Sequence, residues 1–225
     1  MNSILAWGVL PPLALIFYIW SLDRIEKEPP TLVIKTMLFG AGSAILAVAL
    51  ETAGEVILEY IGTDGILDLI LYYFIVVAVS EEFSKRLGMK LAVWNNPNFN
   101  FRFDAVVYSV ASALGFAALE NVLYMASYGT QIALSRLIPV HSICGVFMGY
   151  YLGIAKTAEL DGDNRSRGLY MKLSLIVPVL IHGFYDFCLS TGDAFLSYFV
   201  LGCIFILAIV AWRKLKTYAK IDRPI

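Results

Sequence analysis

Apolar residues divide the chain into seven long segments, each separated from the next by a short polar stretch. About 20 mostly apolar residues are enough to cross the hydrocarbon core of a bilayer as one helix. We therefore predict about seven membrane spans, at residues 4–22, 31–50, 67–94, 104–127, 132–157, 168–190 and 194–212. The predicted fold is an all-α, polytopic transmembrane helical bundle that forms a single domain over residues 1–225.

The composition agrees with a membrane protein. Hydrophobic residues make up 59% of the chain, charged residues make up 16%, and the mean hydropathy is +0.73. A soluble domain carries about 25% charged residues. The net charge of −1 gives no reason to expect a nucleic-acid partner. We expect a multi-pass protein of the cell membrane, in contact with membrane lipid and without nucleic acid.

Lysine and arginine are concentrated in alternate loops. The loops at 61–65, 128–131 and 191–193 contain neither residue, whereas the loop between the fifth and sixth segments and the C-terminal end contain several. Short loops rich in lysine and arginine remain in the cytoplasm. This bias predicts an N-terminus outside the cell and a C-terminus in the cytoplasm.

Several ionisable residues lie inside the apolar segments. A charged side chain at the centre of a membrane helix costs roughly 2.5–3.5 kcal/mol on insertion scales, so such residues usually face partners, water or a substrate. The central feature is the adjacent pair Glu81 and Glu82, in the middle of the third segment. The others are Glu120 in the fourth segment, His141 in the fifth, and His182 and Asp186 in the sixth.

With the predicted orientation, these six residues lie at compatible depths between the midplane and the outer face. They are therefore predicted to share one site, and no similar cluster is expected at the cytoplasmic side. Glu51, Glu55 and Glu59 follow the second segment at a spacing of four, which places them on one helical face. We interpret them as a water-exposed face beyond the membrane, with a cation or substrate-docking role as the alternative.

Spacing along the third segment predicts two ion pairs within one helix. Glu81 and Lys85 are four residues apart, as are Glu82 and Arg86, in the acid-before-base order that favours such pairs. Mutual neutralisation alone would leave the other buried ionisable residues unexplained.

Two further spacings concern the histidines. His141 begins a four-residue repeat of small residues, which allows close approach of a neighbouring helix and would draw His141 toward it; the repeat continues with Gly145, Gly149 and Gly153. Asp186 lies one turn beyond His182 and is positioned to influence its orientation or charge.

The paired carboxylates suggest hydrolysis without a covalent nucleophile. Two carboxylates held together in a low dielectric cannot both stay ionised, so one can act as a base for water while its neighbour stays protonated. A nearby histidine can stabilise an oxyanion or protonate a leaving amine. No serine or cysteine has a nucleophile context such as G-x-S-x-G, and no cofactor is required.

Three alternatives remain open. Glu81, Glu120, His141 and His182 include enough oxygen and imidazole ligands for zinc, although there is no H-E-x-x-H motif. Intramembrane acids and histidines also build the relays of proton- or cation-coupled transporters. A non-catalytic scaffold that binds a partner helix through the glycine repeat is the third alternative.

Taken together, the motifs resemble those of the PrsW family of intramembrane proteases. More distantly, the chain is similar to the CAAX prenyl endopeptidases and bacteriocin-processing proteins, whose Glu-Glu-x-x-x-Arg motif is met by Glu81, Glu82 and Arg86. The motifs that carry the PrsW resemblance are Asp-Arg-x-Glu-Lys-Glu-Pro at 23–29, Glu81-Glu82-x-x-Lys85, Phe103-Asp104 with Tyr108, Gly115-Phe116-x-x-x-Glu120-Asn121, His141, and His182-Gly183-Phe184-Tyr185-Asp186.

The resemblance implies a glutamate-type mechanism in which Glu81 activates water and Glu82 assists. It also implies that the substrate is a single-span membrane protein, namely an anti-sigma factor. Cleavage on the extracellular side would be the first cut in releasing a sigma factor under envelope stress. The remaining site residues on this interpretation are Glu120, His141, His182 and Asp186 as catalytic residues, with Lys85, Arg86, Phe116 and Asn121 in support.

Overall fold

Helices account for most of the structure, a computed structural model that describes residues 2–132 and 139–225. Numbered in chain order, they are α1 (Asn2–Leu22), α2 (Pro30–Ile61), α3 (Gly65–Ile70), α4 (Val79–Val93), α5 (Asp104–Tyr128), α6 (Val140–Leu160), α7 (Asn164–Ser190) and α8 (Ala194–Lys220). A π-helical segment, Leu71–Ala78, joins α3 to α4 without a break, and a short 3₁₀ helix, Thr130–Ile132, follows α5. The prediction of an all-α bundle is confirmed.

Each predicted span overlaps a helix, and the third corresponds to the continuous helix over 65–93. Helices α2 and α8, which correspond to the second and seventh predicted spans, extend well beyond the predicted C-terminal ends of those spans. In the fifth predicted span, residues 133–138 lie outside the described part of the chain, and α6 begins at Val140. Within the described residues, five helices are long and apolar enough to cross a membrane: α1, α2, α5, α7 and α8. The continuous helix 65–93 and α6 carry the polar residues of the site, and their membrane crossing remains a prediction.

Local sequence explains where several helices begin and end. Pro30 is the first residue of α2, where its fixed φ suits a helix and its missing N–H is not needed. Gly62 ends the same helix in the left-handed region, with φ 70°. The carboxylate of Asp163 accepts the N–H of Ser166 at the start of α7, and Asp193 caps α8 in the same way.

Helix α5 lies at the centre of the bundle and is buried along most of its length. It packs against α1, α2, α4 and α6. Its contact with α2 is close because glycines lie at the crossing. A Cβ at Gly40 would overlap the backbone of Ser112, and a Cβ at Gly115 would overlap the backbone of Met37.

The glycine repeat of α6 packs on the other side of α5. A Cβ at Gly145 would lie 3.0 Å from the Cα of Val110, and a Cβ at Gly153 would lie 2.6 Å from the carbonyl oxygen of Arg102. The predicted role of the repeat in close helix packing is therefore confirmed. This packing brings His141, at the start of α6, alongside the second half of α5.

The outward faces of the bundle are apolar. Ile45 is 73% exposed, Phe205 is 68% exposed and Phe17 is 67% exposed. Large apolar side chains are thus exposed on several different helices. Polar groups are buried between the helices instead, which is the arrangement expected of a protein surrounded by lipid.

Candidate active site

A π-helical segment directly precedes the glutamate pair. Such segments are rare and often occur at functional sites. Gly183 of α7 packs against this segment, since a Cβ there would lie 2.7 Å from the ring of Phe74 and 3.0 Å from its Cα. The absence of a side chain at Gly183 lets α7 approach closely, and the preceding residue, His182, reaches the glutamate pair.

The ammonium group of Lys85 lies at the centre of the polar cluster. It donates to Glu81 Oε2 at 2.8 Å, to Glu82 Oε1 at 2.8 Å and to His141 Nδ1 at 2.9 Å. It also lies 4.3 Å from the ring centroid of Phe116, a cation–π contact. Lys85 is completely buried, so its charge is balanced by the two glutamates and not by solvent.

His141 connects Lys85 to Glu120. Its Nε2 lies 2.9 Å from Glu120 Oε2, while its Nδ1 faces the Lys85 ammonium. An ammonium group only donates hydrogen bonds, so Nδ1 must accept and the ring hydrogen lies on Nε2. The tautomer of His141 therefore follows from the contact with Lys85, and its Nε2–H faces Glu120 Oε2.

His182 is held between carboxylates. Its Nδ1 lies 2.9 Å from Glu82 Oε1, and its Nε2 lies 3.1 Å from Asp186 Oδ2. The predicted influence of Asp186 on its orientation is thus present in the structure. The two imidazoles meet edge to face, with ring centroids 5.2 Å apart, and they flank Glu81 Oε2 at 3.7 Å for His182 Nε2 and 4.0 Å for His141 Nδ1.

A cavity of about 370 Å³ opens next to this cluster. Of the six residues predicted to be catalytic, five line it: Glu81, Glu120, His141, His182 and Asp186. Glu82 and Lys85 do not line the cavity and are fully buried behind it. The structure therefore brings all six predicted residues together and separates them into a layer at the cavity and a layer behind it.

The supporting residues differ in position. Asn121 lines the cavity, and Phe116 is buried beside Lys85 and His141. The predicted pair between Glu82 and Arg86 is wrong. Arg86 Nη1 instead donates to the backbone carbonyl of Met171 at 2.8 Å and to Ser174 Oγ at 3.3 Å, because Glu82 turns toward Lys85 and His182 and Arg86 faces α7.

Glu51 is half-buried and lines the cavity, which differs from the interpretation as a water-exposed face and agrees with the alternative of a docking role. Helix α2 continues to Ile61, so Glu51 lies well inside a long helix and faces the site. Glu55 accepts a hydrogen bond from the hydroxyl of Tyr72 at 2.9 Å, and Glu59 is exposed. The four-residue spacing identified this face, but not the neighbour that it contacts. Sequence reasoning also missed four tyrosines that line the cavity: Tyr72, Tyr73, Tyr124 and Tyr185.

A second group of carboxylates collects at the other end of α5, contrary to the prediction that no such cluster would form there. Its members are Asp23, Glu28 and Asp104, each at most 2% exposed. Tyr108 donates a hydrogen bond to Glu28. Burial and the neighbouring charges of Glu28 and Asp222 raise the pKa of Asp23 to about 7. Asp23, Glu28 and Asp104 each belong to a motif noted in the sequence. The two motifs are about 75 residues apart, so their spacing could not predict that these side chains meet.

The fold and the buried cluster define a helical membrane protein with hydrolytic groups enclosed between its helices. Residues 28–212 match the family described as "PrsW family intramembrane metalloprotease", and the chain belongs to the PrsW family. It is therefore a peptide hydrolase and a multi-pass membrane protein.

Curated relatives agree over nearly the full length. The chain is 31% identical to Protease PrsW of Halalkalibacterium halodurans, over 99% of this chain and 100% of that protein. It is 33% identical to Protease PrsW of Geobacillus kaustophilus, over 100% and 96% of the two chains. It is 30% identical to Protease PrsW of Bacillus subtilis, over 92% and 91%. No solved structure matches the chain.

The family description implies a metal ion, and the residue types fit one, but in this structure the Lys85 ammonium already contacts Glu81, Glu82 and His141. One ligand atom from each of Glu81, Glu82, His141 and His182 lies within 4.8 Å of the others. Imidazole nitrogens and carboxylate oxygens are ligands that zinc accepts in catalytic sites. Glu120, which the sequence suggested as a ligand, contacts the outer nitrogen of His141 instead, the position of a group that orients a metal-binding histidine.

Proposed function

We propose that the chain cleaves a single-span membrane protein, an anti-sigma factor, in the cavity beside Glu81. Cleavage on the extracellular side would be the first cut in releasing a sigma factor. Membership of the PrsW family and the loop charges support this proposal. The charge bias predicts that the end of the bundle holding Glu120 and Asp186 faces outward, where such a cut would occur.

The observation that carries the chemistry is the difference between the two glutamates. Glu81 lines the cavity, whereas Glu82 is fully buried behind it and contacts Lys85 and His182. Only the first carboxylate can reach a water molecule and a peptide bound in the cavity. Glu81 is therefore the proposed base, and Glu82 is the residue that holds Lys85 and His182 in place.

The proposed reaction is hydrolysis by activated water. Glu81 accepts a proton from water, and the resulting hydroxide attacks the scissile carbonyl carbon. An imidazole N–H at the cavity donates to the oxyanion of the tetrahedral intermediate. Collapse of the intermediate breaks the C–N bond, and the proton held by Glu81 passes to the leaving amine. Of the two histidines, His182 has the ring nitrogen nearer to Glu81 Oε2.

Cleavage of a tagged anti-sigma factor in proteoliposomes tests this proposal. Glu81→Gln and His182→Ala are expected to lower the cleavage rate by about 10²–10⁴-fold, the usual contribution of a positioned acid or base. Glu59→Gln is the matched control, since Glu59 is an exposed carboxylate that does not line the cavity. Undiminished cleavage in both site variants would contradict the assignment of the site residues. Cleavage of other single-span proteins, without cleavage of any anti-sigma factor, would contradict only the proposed identity of the substrate.

Zinc-dependent hydrolysis is the second candidate, favoured by the family description and by the donor set. Glu81, His141 and His182 would hold the ion, with Glu82 close by. A bound zinc ion would supply an acidified water and a Lewis acid at the cavity. The residues around it would keep their positions, with Asp186 orienting His182 and Glu120 orienting His141.

Metal content and chelation separate the two mechanisms. Elemental analysis of the purified protein is expected to show less than one zinc per chain under the glutamate mechanism, and a chelator should leave cleavage unchanged. One zinc per chain that is lost in His182→Ala, with activity lost on chelation and restored by zinc, would establish the metal mechanism instead. A proton flux on acidification without any cleavage would favour a transporter.

A further inference from the structure

The second carboxylate cluster is separate from the active site. Asp104 is the first residue of α5, and Glu120 lies 16 residues further along the same helix. At 1.5 Å per residue, the two positions are about 24 Å apart. The cluster therefore needs an explanation that does not involve the cavity or its chemistry.

The three carboxylates are close enough to share one ion. One oxygen from each of Asp23, Glu28 and Asp104 lies within 4.8 Å of the other two. Oxygen ligands on opposite sides of Ca²⁺, each at about 2.4 Å, would be about 4.8 Å apart, and those of Mg²⁺ about 4.2 Å apart. The spacing thus fits several oxygens around a single divalent cation.

Several oxygens here are buried without a hydrogen-bond partner in the described part of the chain. They are Asp23 Oδ2 and Asp104 Oδ1, together with Oδ2 of the neighbouring Asp222. The other oxygen of Asp104 accepts the backbone N–H groups of Asn100 and Phe101, at 2.9 and 2.6 Å. The backbone thus fixes this carboxylate, which also lies within hydrogen-bond reach of Glu28. A buried oxygen without any partner is costly, so a shared cation or a shared proton is needed here.

Basic side chains do not neutralise the cluster. Among the described residues, no lysine or arginine forms an ion pair with Asp23, Glu28 or Asp104. Lys27, on the same loop, lies over the ring of Trp20 at 4.3 Å. Three buried carboxylates without a paired cation repel one another, and a bound metal ion would remove this repulsion.

We propose that Asp23, Glu28 and Asp104 form a second site, which binds a divalent cation such as Ca²⁺, Mn²⁺ or Mg²⁺ through oxygen ligands. Asp222, whose carboxylate also accepts the N–H of Phe103 at 2.9 Å, lies beside it. The ion joins the α1–α2 loop to the start of α5, next to the C-terminal end of the chain. Its role is to hold these segments together, and it does not depend on the proposed peptidase mechanism.

Mn²⁺ binding to the purified full-length protein in detergent tests the site. After treatment with EDTA and desalting, free Mn²⁺ is measured by electron paramagnetic resonance during titration. Asp23→Asn and Asp104→Asn are expected to bind one Mn²⁺ fewer per chain than their parent protein. This difference should persist when Glu81→Gln and His182→Ala are combined in the parent, which removes the donors of the active site. Glu26→Gln, an exposed carboxylate on the same loop, is the matched control and should retain the ion.

Thermal melting provides a second readout. Mn²⁺ or Ca²⁺ at 100 times its Kd should raise the Tm of the parent protein and of Glu26→Gln, because the ion binds only the folded state. The rise should be absent in Asp23→Asn and in Glu28→Gln. Equal Mn²⁺ stoichiometry in parent and variants would overturn the proposal. So would the absence of binding by Mn²⁺, Ca²⁺ and Mg²⁺ at millimolar concentration to the folded parent, which would show that the carboxyl groups share protons instead.

Discussion

Glu82 Oε1 lies 2.9 Å from His182 Nδ1, although the two residues are 100 positions apart. The contact joins α4 to α7 in the fully buried layer behind the cavity. Lys85 donates to the same oxygen of Glu82, so one carboxylate oxygen holds a histidine of the cavity and the central ammonium. The position of the proposed catalytic histidine therefore depends on a residue that substrate cannot contact.

Loss of the central ammonium should destabilise the protein. Lys85→Met removes the partner of two buried carboxylates, and breaking a buried ion pair in this way costs about 3–5 kcal/mol. The Tm in detergent should fall clearly, while Lys90→Met on the same helix should change it little, since Lys90 lies outside the cluster over Trp94. Adding Glu82→Gln to Lys85→Met should recover part of the loss; equal Tm values for the two lysine variants would show that the ion pairs are not structural.

Glu51→Gln should lower cleavage without lowering stability. Glu51 lines the cavity from α2, opposite the glutamate pair on α4, so removal of its charge changes the field that a bound peptide and water experience. We expect a reduction of about 10-fold in kcat/KM. Glu59→Gln, two turns further along the same helix face, should be unaffected. Identical cleavage rates for Glu51→Gln and Glu59→Gln would show that the charge of Glu51 does not contribute to catalysis.

The close approach of α7 can be tested with Gly183→Ala. The added methyl group would meet the backbone of Phe74 as well as its ring, so α7 must shift, and overpacking of this kind costs about 1–3 kcal/mol. Cleavage should fall at least 10-fold because His182 is the adjacent residue. Gly168→Ala, on the same helix with open space around it, should keep full activity and gain a little helix stability. Retained activity in Gly183→Ala would mean that the contact tolerates movement.

Cysteine labelling tests the predicted orientation. A membrane-impermeant maleimide added to intact cells should label a cysteine at Thr191, in a loop without lysine or arginine. A cysteine at Asp161 should be labelled only after permeabilisation. The native Cys144 and Cys188 are buried, and a parent with all three cysteines replaced by alanine removes their background. The reverse labelling pattern would invert the topology and place the cavity on the cytoplasmic side.

The second cluster gives a structural reason for two of the family motifs. Asp23 and Glu28 belong to the loop motif at 23–29, and Asp104 and Tyr108 belong to the motif at the start of α5. In the structure these motifs contact each other through the hydrogen bond from Tyr108 to Glu28. They are far from the cavity, so their resemblance to the family does not by itself make them catalytic.

The helical class, the approximate helix positions and the residues of the candidate active site could all be predicted from the sequence. These features are readable because they depend on local quantities. The length of an apolar run shows whether the segment can cross a bilayer as a helix. A charged residue within such a segment, such as Glu81, is costly wherever its helix packs, so it marks a site. The glycine repeat after His141 likewise signals a close helix contact without naming the partner helix.

Which polar groups meet depends on how the helices pack against one another. By spacing, Arg86 and Lys85 are equally plausible partners for the glutamate pair. In the structure Lys85 contacts the glutamates, whereas Arg86 points to α7 and donates to the carbonyl oxygen of Met171. Glu51 joined the cavity because α2 continues past the predicted end of its span and crosses near α4. Pairing between distant segments depends on crossing angles and on which side of each helix faces its neighbour, and these are set by packing between helices and not by the periodicity within any one of them.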